Sequence, residues 1–508
     1  METHRIAGHM NPGTGDGAAP GGFSRRTALG ALGTVLLVPL AACSASVEES
    51  SSPAANASAS SAGSTAGSTS AAGTTEDEAI EMIAKRVAAH WPHMSTMWPG
   101  VDYTQHDVIV FTVDEAGKAK RAWLINTSEH RELTPEEYAS VEVPPYFLAT
   151  EFQGRRSLSM VLNLNHPLSG APSAEDSFEQ PEVPADPDPG VSFMYRLPTH
   201  ELVHMYYQDG ALQSAQGSRD TAYPVDPEPR IVRNMIHYRL NLAFTDAANR
   251  QEHLGRARYW QDKWTSAYPQ DAEAIRTYDI REGVARYLER AGDYADPALS
   301  GEELTKAQTA GLEYQYDTSI DGESYSLGFV SGLLLDLSAP GWKDTFYASG
   351  KTLVELLLEK VSPVQDEEDS RMRERVTTLI AEENERVKAD IAVIDEAEAD
   401  TSTAYLRTEG EAAVNLSHSG TYSYKGKAVF VQAVTEMKAA GGGSVKISSQ
   451  PIVSYPDTGQ YVITLPSGSY TYKDGTLTIT GDKVSGEVKA TESTDNGRTV
   501  FTMKLATS

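Results

Sequence analysis

The sequence predicts an α+β fold with a mixed region of helix and strands, then a helical half, then a small all-β domain. Residues 79–87 place apolar side chains at helical spacing, which indicates an opening amphipathic helix. Residues 108–113 are β-prone, and residues 122–125 are interpreted as their hairpin partner after a polar turn. Beyond Thr401 the composition shifts to Thr, Ser, Tyr, Val and Gly, which is typical of antiparallel strands.

The same patterns predict the remaining elements. Alternating apolar residues indicate a third strand at 157–164, and a short strand is predicted at 191–195. Residues 165–190 are rich in Pro, Asp and Glu and are expected to form an exposed loop, and the chain after 195 is predicted to be helical to about Ala399. The β domain, 401–508, is expected to contain strands at 428–431, 461–465 and 476–479, and the similar segments 420–425 and 468–473 suggest a duplicated hairpin.

Length, charge and cysteine content restrict the class of protein. The 508 residues are enough for two or three domains. The formal net charge of −28 argues against nucleic acid or an anionic membrane surface as the partner. The single cysteine, Cys43, excludes a domain held by disulfides, a thiolate zinc site and a cysteine nucleophile in the folded part.

Residues 1–43 resemble a twin-arginine lipoprotein signal. Arg25 and Arg26 precede an apolar run at 28–42, which at about 15 residues is shorter than the roughly 20 that a membrane-spanning helix needs. The run ends in Leu-Ala-Ala-Cys, which is similar to a bacterial lipobox. We therefore expect cleavage before Cys43 and lipidation of its sulfur, with an ordinary signal peptide and a chance cysteine as the alternative.

Residues 44–75 consist largely of Ser, Ala, Thr and Gly, with almost no large apolar side chain. Such a stretch cannot bury enough surface to offset its chain entropy, so we expect a flexible tether. No later segment is long and apolar enough to cross a membrane. The chain is therefore predicted to be exported and anchored to the outer face of the cytoplasmic membrane by its N-terminal lipid alone.

Residues 200–204, His-Glu-Leu-Val-His, form an HExxH motif. On a helix the two histidines lie on one face, so both imidazoles can reach one metal ion. Zinc (Zn2+) accepts neutral imidazole and, in catalytic sites, keeps one of its four positions for water. Glu201 is suited to hydrogen-bond that water and to act as general base. Pro198 fits the first helical turn, where its missing N–H is not needed.

The identity of the third ligand separates the groups of zinc peptidases. The metzincin pattern requires Gly and His where this chain has Tyr207 and Gly210, which excludes that group. Residues 282–287, Glu-Gly-Val-Ala-Arg-Tyr, begin 78 residues after His204 and resemble the E-G-x-A-x-Y segment of gluzincin-type peptidases. The glycine of this segment is expected to allow close packing against the motif helix.

Residues 76–400 therefore resemble the gluzincin-like peptidases, in which a small mixed subdomain precedes the HExxH helix and a helical subdomain follows. The resemblance implies a zincin-like catalytic domain with His200, His204 and Glu282 as zinc ligands and Glu201 as the base. It also suggests Tyr325, at the start of an apolar helix, as the donor that stabilises the oxyanion of the reaction. It does not extend to the β domain.

The chain departs from this family in places, and several residues have alternative interpretations. There is no G-x-M-E-N segment, and Arg286 stands where the thermolysin-type branch has an aspartate that orients a histidine ligand. Arg281 likewise replaces an asparagine, so the sequence identifies no residue that orients the histidines. One alternative is that Glu282 forms a capping box with Asp279, and another is that His237 or His253 is a metal ligand. The alternative role of Tyr325 is a core or capping tyrosine, and Tyr314 and Tyr316 are weaker oxyanion candidates.

The sequence thus predicts a zinc metallopeptidase that hydrolyses a peptide or protein substrate outside the cytoplasmic membrane. The alternative is a non-catalytic lipoprotein that binds a cell-surface partner on the same scaffold. A zinc carrier is disfavoured, because it has no need of the glutamate between the two histidines. Substrate, cleavage position, the role of the β domain and oligomeric state have no sequence signal.

Overall fold

A computed structural model describes residues 74–114, 117–144, 146–164, 186, 188–208, 219, 221–312, 320, 322–410, 416–455 and 458–506. The predicted signal segment with Cys43, nearly all of the tether and most of the predicted loop at 165–190 lie outside the described residues. Within those ranges, no helix has both the length and the apolar character needed to span a membrane. The fold class is α+β, as the sequence predicts.

The first part of the chain builds a five-stranded sheet beside an amphipathic helix. Its elements are α1 (Glu76–His90), α2 (Met94–Met97), β1 (Asp107–Val113), β2 (Ala119–Ile125), β3 (His130–Glu132), α3 (Pro135–Tyr138), β4 (Phe147–Phe152) and β5 (Arg155–Val161). The strand order is β3-β2-β1-β5-β4, with β1 and β5 parallel and the other pairs antiparallel. Thr75 starts α1 with a capping box, and the apolar face of the helix is buried.

Most of the predicted elements in this region are confirmed. The β1–β2 hairpin pairs Val108 with Ile125, and the third predicted strand corresponds to β5. The sequence reading missed β3 and β4. Strand β3 has only three residues, and β4 is a half-buried edge strand whose apolar residues do not alternate clearly.

The middle of the chain is helical, as predicted. It contains α4 (Pro189–Val203), α5 (Pro227–Thr245), α6 (Arg250–Ala267), α7 (Pro269–Ala291), α8 (Gly301–Ala310), α9 (Gly322–Ser338), α10 (Phe346–Ser349), α11 (Leu353–Leu358) and α12 (Ser370–Ala399). A two-residue strand, β6 (Thr221–Ala222), lies between α4 and α5.

Two predictions about the motif helix are wrong. Residues 191–195 belong to α4 rather than to a strand, because α4 begins at Pro189. Periodicity cannot separate a short apolar run in a strand from one in a buried helix. Pro198 consequently lies inside the helix rather than in its first turn, a position where proline removes one backbone hydrogen bond.

The C-terminal part is all-β, with its predicted strands inside β10, β12 and β14. The strands are β7 (Ala404–Glu409), β8 (Leu416–Ser417), β9 (Thr421–Tyr424), β10 (Lys427–Lys438), β11 (Gly443–Tyr455), β12 (Gln460–Leu465), β13 (Tyr470–Lys473), β14 (Thr476–Thr480), β15 (Val484–Lys489), β16 (Thr491–Asp495) and β17 (Arg498–Lys504). The two similar segments each open a hairpin, β9–β10 and β13–β14. In both hairpins the two turn residues have positive φ, which matches the twist of the strands.

The helical and β parts share an interface. Strand β6 pairs in parallel with β9, and α12 packs on β10 and β11. Asp390 of α12 accepts a hydrogen bond from the backbone of Gln432 at 3.2 Å, and Tyr422 donates to Glu383. The chain changes from helix to strand between α12 and β7, where the sequence predicts a domain boundary, and the boundary itself stays a prediction.

The helices α7 and α9 approach each other unusually closely. A Cβ atom on Gly328 of α9 would lie 2.1 Å from the Cα of Gly283 of α7. A Cβ atom on Gly283 would lie 3.1 Å from the Cα of Gly328. The sequence-based expectation that Gly283 packs against the motif helix is therefore wrong, because its close neighbour is on α9.

We predict that Gly328→Ala destabilises the protein by about 2 kcal/mol, because the added methyl group forces two helix backbones apart. Alanine is otherwise favoured over glycine in a helix by about 1 kcal/mol, so helix propensity alone predicts the opposite sign. Thermal unfolding of the metal-free protein measures the effect. Gly283→Ala is the matched control and should be milder, since its methyl group meets the other backbone at 3.1 Å rather than 2.1 Å. A Gly328→Ala protein as stable as the parent would contradict the packing described here.

Candidate metal centre

Two histidines and a glutamate meet in the interior between α4 and α7. Nε2 of His200 lies 3.0 Å from Nε2 of His204, and Oε2 of Glu282 lies 3.2 and 3.0 Å from these two nitrogens. All three side chains are buried. This group can hold a metal ion, and no second group of three or more such side chains is found in the part of the chain that the structure describes.

The motif helix brings the two histidines together. His200 lies in the last turn of α4, and His204 follows one turn later with its ring centroid 4.8 Å from that of His200. From His204 the backbone widens into a π-helical turn that ends at Gln208. Such turns are rare in proteins, and those that occur often lie at functional sites. Gln208 follows His204 by four residues and lies beside it, with Oε1 2.7 Å from Nδ1 of His204.

Glu282 lies well inside α7, which rules out the capping-box interpretation. Asp279, the supposed cap, is also interior to the helix, and its carboxylate accepts hydrogen bonds from Arg233 at 2.8 and 3.0 Å. The alternative ligands are not part of the group either. Nε2 of His253 lies 3.4 Å from Oδ2 of Asp246, and His237 lies in α5 outside the group of three side chains.

The second ring nitrogen of each histidine faces an acceptor. Nδ1 of His200 lies 3.0 Å from Oε2 of Glu289, and Nδ1 of His204 lies 2.7 Å from Oε1 of Gln208. In a neutral imidazole one nitrogen carries the proton and the other a lone pair. The network therefore assigns both protons to Nδ1 and leaves both Nε2 lone pairs directed at the centre of the group.

The orientation of Gln208 supports this assignment. Its amide nitrogen donates to the carbonyl oxygen of Arg281 at 2.9 Å and lies 3.2 Å from the hydroxyl of Tyr347, so its oxygen is the atom that faces His204. The guanidinium Nε of Arg281 also approaches Nδ1 of His204, at 3.4 Å. That contact is much longer than the 2.7 Å contact to Gln208, so the glutamine determines the tautomer.

The donor set fits a divalent metal ion. Two imidazole nitrogens and one carboxylate oxygen are three of the four ligands of a catalytic zinc site. Ligands at about 2.0–2.1 Å from a tetrahedral ion lie roughly 3.3 Å apart. The three distances of 3.0–3.2 Å are close to that spacing, so the three atoms need little movement to share one ion.

The carboxylates around the group have perturbed acidities. Burial by itself opposes ionisation of Glu282, but when His204 and His200 are protonated their charge outweighs burial and lowers the pKa of Glu282 well below its ordinary range. Burial likewise opposes ionisation of Glu289, but Arg286 and His200 lower its pKa. Glu201 is buried, and burial raises its pKa above the ordinary value. Glu289 is thus held as an anion, and Glu201 has a raised affinity for a proton.

Tyr325 lies beside the histidines on α9. Its ring centroid is 5.7 Å from that of His200, and its hydroxyl is 3.3 Å from the hydroxyl of Tyr278. The side chain is 9% exposed. The structure therefore places this sequence-predicted residue next to the ligand group, while Tyr314 and Tyr316 lie outside the described residues.

The sequence reading missed the two residues that orient the histidines. Glu289 follows Glu282 by seven residues, which is two helical turns on the same face of α7. Gln208 follows His204 by four residues, the same spacing that joins the two ligands. Both spacings were visible in the sequence. They become informative only when the helix faces are known.

Comparison of the chain with protein-family models, with curated proteins and with solved structures found no significant match. The functional interpretation therefore depends on the site itself: the converging ligand atoms, the hydrogen bonds that orient them and the glutamate between the histidines.

We predict that Gln208→Met lowers the affinity for zinc by about 10–100-fold, because Nδ1 of His204 loses its acceptor and the ring is no longer held in one tautomer. Chelator competition with the purified protein measures the affinity. Gln208→Glu keeps an acceptor at this position and is expected to bind zinc about as tightly as the parent. Parent-like affinity in Gln208→Met would show that the glutamine does not orient the ligand.

Proposed function

We propose that this chain is a zinc-dependent peptidase of the gluzincin type, with His200, His204 and Glu282 as the metal ligands. One observation carries the proposal: two imidazole nitrogens and a carboxylate oxygen lie within 3.2 Å of one another. Three protein ligands are the number that a catalytic zinc site uses, since the fourth position is kept for water or substrate. Glu201 lies between the two histidines in the sequence, and its side chain is buried. We assign it the role of general base.

The proposed chemistry divides between the metal and the chain. When bound, zinc lowers the pKa of a water molecule and polarises a carbonyl group. Glu201 accepts the proton released by the attacking water and transfers it to the nitrogen of the departing amine.

Tyr325 is proposed as the donor that stabilises the oxyanion. Its position beside His200 places a phenol within reach of the ligand group. A hydrogen-bond donor aimed at developing negative charge contributes most in a site that excludes water, and this one is largely buried.

The location of the protein remains the sequence-based proposal. The apolar segment and Cys43 indicate export and a lipid anchor, which place the peptidase on the outer face of the cytoplasmic membrane. Its substrates are then peptides or proteins outside that membrane. The zincin-like arrangement of the catalytic domain is part of this proposal and is supported by the order of the sheet, the motif helix and the ligand helix.

We predict one zinc per chain in the purified parent protein and loss of that zinc in Glu282→Ala, as measured by elemental analysis after dialysis. Removing one of three ligands from a four-coordinate site leaves too few bonds to hold the ion tightly. Glu273→Ala removes an exposed glutamate from the same helix and should retain the zinc. A parent protein that takes up no zinc would rule out the proposed metal site.

We predict that Glu201→Gln abolishes hydrolysis of unstructured protein substrates while the bound zinc is retained, because the amide cannot accept the proton. Tyr325→Phe should lower kcat by about 100-fold or more, the usual effect of losing one oxyanion donor. Fragment production followed by mass spectrometry measures both. Equal fragment yields from parent and Glu201→Gln, or none from a zinc-loaded parent, would favour the non-catalytic lipoprotein instead.

A further inference from the structure

Helix α7 carries three charged side chains along one face toward the ligand group. Glu282, Arg286 and Glu289 follow one another at spacings of four and three residues, which places them on one side of the helix. Glu282 is a ligand and Glu289 orients His200. Arg286 lies between them, at the position where the thermolysin-type branch has an aspartate.

Both oxygens of Glu289 are engaged, each by a different partner. Oε2 faces Nδ1 of His200 at 3.0 Å, and Oε1 accepts from the guanidinium of Arg286 at 2.7 Å. The carboxylate is buried, so its orientation is set by these two contacts rather than by water. Arg290 approaches the same oxygen Oε1 only to 4.0 Å. Arg286 is therefore the closer of the two cations that neutralise Glu289.

Arg286 also touches the residue on the other side of His200. Its guanidinium carbon lies 5.2 Å from the centroid of the Tyr325 ring, within the range of a cation–π contact. The same ring lies 5.7 Å from the ring of His200. The arginine thus contacts two groups that lie beside this ligand, the Glu289 carboxylate and the Tyr325 ring.

We propose that Arg286 is a positioning residue that fixes the His200 ligand through Glu289. The inference rests on the metal site of the proposed function but not on peptide hydrolysis. The arginine holds the carboxylate in one orientation, and the carboxylate holds the imidazole so that Nε2 faces the other two ligand atoms. In this chain the carboxylate that orients His200 lies seven residues after the ligand glutamate, and an arginine between the two supports it.

The test is a double-mutant cycle read out as zinc affinity of the full-length chain by chelator competition. Glu289→Met should lower the zinc affinity about 10–100-fold. Arg286→Met should lower the zinc affinity by a smaller but measurable factor. Because Arg286 acts through Glu289, the double variant should bind no more weakly than Glu289→Met alone. Full additivity of the two effects, or parent-like affinity in Arg286→Met, would overturn the proposal.

A matched control and a spectroscopic readout separate positioning from a general loss of stability. Arg276→Met removes another arginine from α7, one that binds Glu355 and the carbonyl of Gly350, and should leave zinc affinity unchanged. In the cobalt-substituted protein, Arg286→Met should shift the visible absorption bands and Arg276→Met should not. Unshifted bands in Arg286→Met would overturn the proposal.

Two further outcomes are informative. If Arg286→Met does not fold, Arg286→Lys takes its place in the same cycle, since it keeps the charge but loses the planar fork. If the parent binds zinc without hydrolysing peptides, the proposed peptidase fails while this inference is still decided by the affinities. A parent without zinc affinity overturns both.

Discussion

The candidate metal centre depends on where one helix, α7, lies relative to the motif helix. Helix α7 provides the candidate ligand Glu282 and, two turns later, the Glu289 carboxylate that faces Nδ1 of His200. On its other side it rests against α9 through Gly283 and Gly328, where a Cβ atom on Gly328 would lie 2.1 Å from the Cα of Gly283. Since that contact joins two backbones, a change of side-chain rotamer cannot compensate for a change in the distance between the helices. The spacing of the ligand group therefore rests on a contact that involves none of the ligands.

A group of buried charges constrains the same helices. Glu323, near the start of α9, accepts hydrogen bonds from Arg219, Arg230 and Arg233. Arg233 in turn binds Asp279 of α7. Buried ion pairs add little net stability because desolvation offsets their attraction, whereas removing one partner costs about 3–5 kcal/mol. We infer that these charged side chains fix the relative positions of α5, α7 and α9. They thereby also fix the position of Tyr325, which follows Glu323 by two residues.

The parts of the site that sequence could predict are those that a single element determines. The spacing of the two histidines alone places them on one helix face. Glu282 is predicted as a ligand because its own segment resembles the E-G-x-A-x-Y segment of a known family. Glu289 and Gln208 both lie at helical spacing from a candidate ligand, but these spacings become informative only when the helix faces that meet are known. The same reason explains the errors in the fold. An apolar run at 191–195 is compatible with strand or buried helix until its neighbours are known, and the partner of Gly283 was assigned to the wrong helix.

The ligand atoms at the centre of the site are held in an arrangement that is electrostatically unfavourable by itself. The hydrogen bonds to Glu289 and Gln208 direct both imidazole protons outward, which leaves three acceptors within 3.2 Å of one another. Buried acceptors without a proton or a cation between them lose free energy, so an ordinary core would turn one ring to place a proton at the centre. This fold instead uses two separate side chains to keep the protons away. Departures from locally favourable packing concentrate at functional sites, and a cation bound between these acceptors would remove this one. A metal centre therefore accounts for the geometry better than a pair of histidines that only fill the core.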